Sequence, residues 1–134
     1  MRSHENIIED LKEELQVVYN EVLELAPQAF QEKLSLCSFN ATKQEYILKK
    51  KELIDFILQK VEICQEPNDY QVSPRGYCPL CYRGADNAYD EGFIISEGLI
   101  RHLKGSHGAR QCTIIKALDK IAQYYINLQK AKNA

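Results

Sequence analysis

Cys78 and Cys81 stand on one short turn, Cys78-Pro79-Leu80-Cys81, and His102 and His107 follow five residues apart. A Cys-x-x-Cys turn puts two sulfurs where both can reach one ion about 2.3 Å away. Gly105 lies between the histidines, where it lets a helix end so that both imidazoles turn to one side. Two thiolates and two imidazoles form a soft, tetrahedral-preferring donor set. The spacing therefore predicts a structural Zn2+ held by Cys78, Cys81, His102 and His107. Cys112 follows His107 by five residues and could replace either histidine. Its plainer reading is a buried free thiol at a helix start.

Four protein ligands close the zinc shell and leave no position for an activated water. Glu97 would be the nearest general base if one ligand were absent. Its plainer place is the first turn of a helix, where a carboxylate is favoured. The chain has no Gly-rich phosphate loop and no nucleophile-base-acid set that spacing can assemble. His4 falls in a charged N-terminus and reads as solvent-exposed. The expectation is a non-enzyme.

Residues 78–107 resemble a Cys2His2 zinc finger. Phe93 and Leu99 have five residues between them, Leu99 and His102 have two, and His102 and His107 have four. In such fingers the Phe and Leu form a small core beside the metal. The sequence departs from the pattern between Cys81 and Phe93, where eleven residues, Tyr82 to Gly92, enlarge the loop. The resemblance implies a strand-turn-helix unit and zinc. If the finger read bases, the reading positions would be Ile95, Gly98 and Arg101, of which only Arg101 can reach a base edge.

The elements that must position these ligands are mostly helical. Residues 4–25 form an amphipathic pattern, with Ser3 as N-cap and Pro27 beyond its end. Ile8, Leu11, Leu15, Val18, Val22 and Leu25 repeat at intervals of three and four, a heptad seam. A short helix is predicted over Gln28–Cys37 and a second long helix from about Thr42 to about Gln65. The latter carries the stripe Ile47, Ile54, Leu58 and Val61, widened by Leu53, Ile57 and Cys64. Lys49–Lys51 read as a solvated face. The segment 66–75, with Pro67 and Pro74, breaks the pattern. A last helix covers about Arg110 to Lys130. The fold class expected is mainly α: an N-terminal antiparallel helical hairpin over 1–66, a linker over 67–75, and a modified ββα-like zinc finger with a C-terminal helix over 76–134. The layout also resembles bacterial RNA-polymerase regulators that join a helical hairpin to a C-terminal zinc site. Their four-cysteine site is missing here, as is Asp at the expected tip, residues 26–42.

The net charge of −2 is unevenly spread. Residues 1–66 carry 8 Lys/Arg against 13 Asp/Glu, and residues 111–134 carry 4 Lys against 1 Asp. No apolar run reaches the roughly 20 residues of a membrane span, and the charged start lacks a signal-peptide core. Five cysteines, an odd number, argue against a disulfide scaffold. These features lead to the expectation of a cytoplasmic protein. The functional expectation is a protein-protein interaction module, an adaptor, inhibitor or regulator, meeting another protein through the helical hairpin. The heptad seam could instead pair two chains as a homodimer, but packing on the second long helix is the plainer reading. The alternative function is nucleic-acid binding through Arg101, Lys104, Arg110, Lys116 and Lys120, whose plainer reading is ordinary solvated charge.

Overall fold

The structure, a computed structural model, describes residues 3–36, 42–65, 74–82, 92–95, 97–105 and 110–133. Their order is α1 (His4–Leu25), α2 (Gln28–Leu36), α3 (Lys43–Lys60), β1 (Ile63–Gln65), β2 (Arg75–Gly76), β3 (Phe93–Ile94), α4 (Glu97–Lys104) and α5 (Thr113–Asn133). The protein is mainly helical, with one small sheet. None of the described helices is long and apolar enough to cross a membrane. The chain packs as two units, residues 1–50 with 117–134, and residues 51–116. The division falls within α3 and within α5.

In the first unit, α1 starts as the sequence predicts. The Ser3 hydroxyl accepts from the Asn6 amide at 3.2 Å and satisfies one free donor of the first turn. The buried side of α1 is not the whole heptad seam. Ile8, Tyr19 and Ala26 are buried, whereas Leu11, Val18 and Leu25 are exposed. Tyr19 shifts the buried stripe because its ring is apolar and its hydroxyl finds acceptors. It donates to the Leu34 carbonyl at 3.1 Å and the Ser35 carbonyl at 3.3 Å, near the free C-terminal carbonyls of α2.

Polar contacts tie α1 to α2 and to α5. Lys12 donates to Gln129 Oε1 at 2.8 Å and lies over the Tyr125 ring. Lys132 pairs with Glu9 at 3.0 Å. The N-terminal part of α3 is held by Asp119. This carboxylate accepts from the Tyr46 hydroxyl at 2.7 Å and from Lys50 at 2.8 Å. Lys50 is therefore not part of a freely solvated lysine face. A partly buried carboxylate with two donors is a better-defined contact than an exposed ion pair.

The second unit contains the sheet, in the order β1-β2-β3 and antiparallel throughout. Arg75 faces Ile94 and Gly76 faces Phe93 in the pairing of β2 with β3. The helix expected to run to about Gln65 stops at Lys60, and the chain turns into β1. Tertiary pairing overrides helical propensity here, because β1 fills the free edge of β2. Gly76 permits the approach: a Cβ there would lie 2.6 Å from the Glu62 carbonyl oxygen. Leu53, Ile54 and Ile57 of α3 are buried, as the widened stripe predicts, but Ile47 and Cys64 are exposed. The expected linker lies largely outside the described residues.

Candidate metal centre

Four side chains of the second unit converge. The ligand atoms of Cys78, Cys81, His102 and Cys112 all lie within 4.8 Å of one another. Cys78, His102 and Cys112 are buried, and Cys81 is partly exposed. Cys78 Sγ and Cys112 Sγ are 3.8 Å apart, and Cys81 Sγ and His102 Nε2 are 3.2 Å apart. A tetrahedron with arms of about 2.3 Å has edges of about 3.8 Å. The cluster therefore has the donors and the size to hold a metal ion.

Each ligand is set by its local backbone. Cys78 and Cys81 flank the turn after β2, where the Tyr82 amide donates to the Cys78 carbonyl at 2.8 Å. Tyr82 takes a left-handed conformation, φ 61°, as the chain leaves this turn. His102 comes from the last turn of α4. Its Nδ1 meets the Arg110 carbonyl at 2.5 Å. That carbonyl only accepts, so Nδ1 carries the proton and Nε2 is left to face the sulfurs. Phe93 stacks on the imidazole with ring centroids 4.4 Å apart. Leu99 and Leu103, both fully buried, line the same side of α4. Phe93 thus packs directly on a cluster side chain, and Leu99 is buried on the helix that carries His102.

Cys112 sits directly before α5. Its carbonyl accepts the first helical bond, from the Lys116 amide at 2.8 Å, so it occupies the N-cap position. Its sulfur accepts from the Ile115 amide, which favours the thiolate. A helix N-terminus favours negative charge there as well. Against this, hydrogen bonding with Cys78 and Cys81, together with burial, pushes the Cys112 thiol well above its ordinary range. Burial disfavours a charged His102, but hydrogen bonds with Cys78, Cys81 and the Arg110 carbonyl outweigh it and push its pKa up to about 10. Without a cation, the hydrogen bonds with Cys78 and Cys81 make both Cys112 and His102 hold their protons more tightly. A divalent cation would favour the deprotonated forms instead.

The structure brings together three of the four predicted ligands, Cys78, Cys81 and His102. His107 lies outside the described residues. The residue completing the described set is Cys112, in sequence a spare that could replace either histidine. The available signal was its place immediately before an amphipathic helix. A side chain capable of carrying negative charge is favoured there, and a buried neutral thiol has no special reason to be.

Among the residues of the nucleic-acid alternative, Arg101 and Lys104 are exposed on α4, Arg110 precedes α5, and Lys116 and Lys120 are exposed on α5. Ile95 is half-buried and Gly98 lies in the first turn of α4. Comparison with known protein families, curated proteins and solved structures gives no match.

Proposed function

We propose that this is a non-enzymatic protein whose Cys78, Cys81, His102 and Cys112 hold a structural Zn2+, and that it works as an interaction module or regulator of another protein. The observation that carries the zinc reading is the donor set: three thiols and one oriented imidazole at tetrahedral spacing. Three sulfurs select a soft ion, and tetrahedral S3N geometry suits zinc. Four protein ligands would close the shell, which supports a structural ion. The small sheet and short α4 offer little apolar core, and metal binding would supply folding free energy there.

The test is metal content by native mass spectrometry on the full chain and on Cys112→Ser and His107→Ala variants. One zinc per chain, lost in Cys112→Ser and retained in His107→Ala, is the expected result. Zinc retained in Cys112→Ser but lost in His107→Ala would restore the Cys2His2 assignment.

The exposure of Arg101 and Lys104 one turn apart on α4 favours nucleic acid as the second reading. Titration into labelled DNA and RNA at two salt concentrations tests it. Tight, strongly salt-sensitive binding, lost in Arg101→Ala, would replace the interaction reading.

A further inference from the structure

The heptad pattern of α1 divides into two stripes with different fates. Ile8, Tyr19 and Ala26 are buried within the first unit. Ile7, Leu11, Val18 and Leu25 remain 46%, 46%, 44% and 76% exposed. Their spacings of four, seven and seven put them on one side of the helix. Glu14 and Glu21 fall between them at intervals of three and four, on the same side. Helices α1 and α5 border a groove of about 290 Å³ lined by Leu11, Leu15, Tyr124, Leu128, Asn127 and Glu14. Tyr124 is also largely exposed.

The charge on the α1 edge of this side has one sign. Helix α1 carries seven carboxylates and a single lysine, Lys12. Lys12 is turned away, toward Gln129 and the Tyr125 ring. The α5 side contributes Lys120, one turn before Tyr124, so the acidic character belongs to the α1 edge. A helical face with apolar anchors at heptad spacing and carboxylates beside them matches an amphipathic helix with lysines or arginines flanking its own apolar stripe. A second copy of α1 does not match. It would set Glu14 and Glu21 against the same residues of its twin, and like charges at a seam are destabilising. Anionic lipid and nucleic acid are disfavoured by the same sign.

We infer that the Ile7-Leu11-Val18-Leu25 strip, with the α1–α5 groove beside it, docks a basic amphipathic helix of a partner protein. This inference rests on the interaction reading above and specifies the partner for it. Leu11 and Val18 are its central anchors, and Glu14 and Glu21 select charge.

The experiment uses the full, metal-loaded chain. The probes are two synthetic amphipathic helices of equal length, one of leucine and lysine, the other of leucine and glutamate. Binding is read by fluorescence anisotropy at two salt concentrations, with labelled DNA and RNA in the same series. The chain is expected to bind the lysine probe and not the glutamate probe. Val18→Asp is expected to weaken binding about tenfold or more. Val18 is already exposed, and circular dichroism checks that the helices survive. Glu14→Lys with Glu21→Lys is expected to reverse the preference in favour of the glutamate probe.

Equal binding of both probes, or an unchanged preference in the double variant, would overturn the assignment. Self-association in sedimentation that is abolished by Val18→Asp would make a second copy the occupant. Failure to bind either peptide, with metal retained, would overturn the docking site but leave the zinc assignment standing. Nucleic-acid binding with no peptide binding would overturn the docking site and the interaction reading together.

Discussion

His102 and Cys112 are joined through backbone as well as through the cluster. The Cys112 amide donates to the His102 carbonyl at 3.0 Å, while the His102 ring is held by the carbonyl of Arg110, two residues before Cys112. The segment that delivers Cys112 also orients His102. The ligand pair is thereby fixed by main-chain hydrogen bonds, which a side-chain substitution at Arg110 leaves intact. Arg110→Ala is expected to leave zinc stoichiometry unchanged. Cys112→Ser is expected to weaken retention by orders of magnitude, measured by competition with a chromophoric chelator. Equal effects of the two changes would contradict this geometry.

Leu99 touches no proposed metal, yet it is fully buried on the helix that carries His102. Leu99→Ala should cost about 2–5 kcal/mol of stability, as buried leucine truncations do. Because metal binding and folding are coupled in such small units, zinc affinity should fall with it. Unchanged zinc affinity would mean that α4 holds His102 without this packing.

Two turn positions should respond with opposite signs. Gly105 follows α4 at φ 78°, and its amide donates to the Arg101 carbonyl at 2.9 Å. Gly105→Ala should destabilise by about 1 kcal/mol, since an L side chain is strained there. Tyr82, exposed and at φ 61°, already bears that strain. Tyr82→Gly should stabilise by roughly 0.5–1 kcal/mol, the conformational gain being partly offset by glycine's larger unfolded-state entropy. Thermal melts of the two variants, both metal-loaded, check the signs.

Metal-free and metal-loaded protein should depend on pH in opposite ways. In the metal-free fold the His102 pKa is raised from 6.5 to about 10. The stability from its bound proton is fully present below about pH 6.5 and is lost as pH rises through about 10. The raised Cys112 pKa acts in the same direction. Zinc requires deprotonated ligands, so the loaded protein is weakened as pH falls. The melting-temperature gain on adding zinc should therefore grow from pH 6 to pH 9. A gain that stays constant over that range would remove the cluster from the linkage.

Much of the helical frame was legible because its signals are local. Ser3, Pro27 and the three-and-four spacing of apolar residues mark α1 and its end. Cys78 and Cys81 were legible because a two-residue spacer has few geometries, and His102 because of its spacing from Leu99 and His107. What failed depends on pairing across the chain. Strand β1 is three residues long and shows no period of its own; it exists because β2 has an edge to fill. The buried side of α1 was displaced by Tyr19, whose hydroxyl reaches carbonyls 15 and 16 residues away. Cys112 is legible in sequence only as a spare ligand, because its place before a helix favours negative charge but does not say which sulfurs it will meet.

The sequence distances between partners differ greatly between the two units, and this bears on how the protein is made. Cys78 and Cys112 are separated by 34 residues, whereas Lys12 meets Gln129 across 117. Contacts at short separation require less loop-closure entropy and form sooner. On a ribosome, the cysteine cluster can gather as soon as Cys112 has emerged. The first unit must wait for α5, which supplies Gln129 and Lys132 to α1. Until then α1 has only α2 to pack against, so the interval before α5 is complete is when the chain is most prone to aggregate.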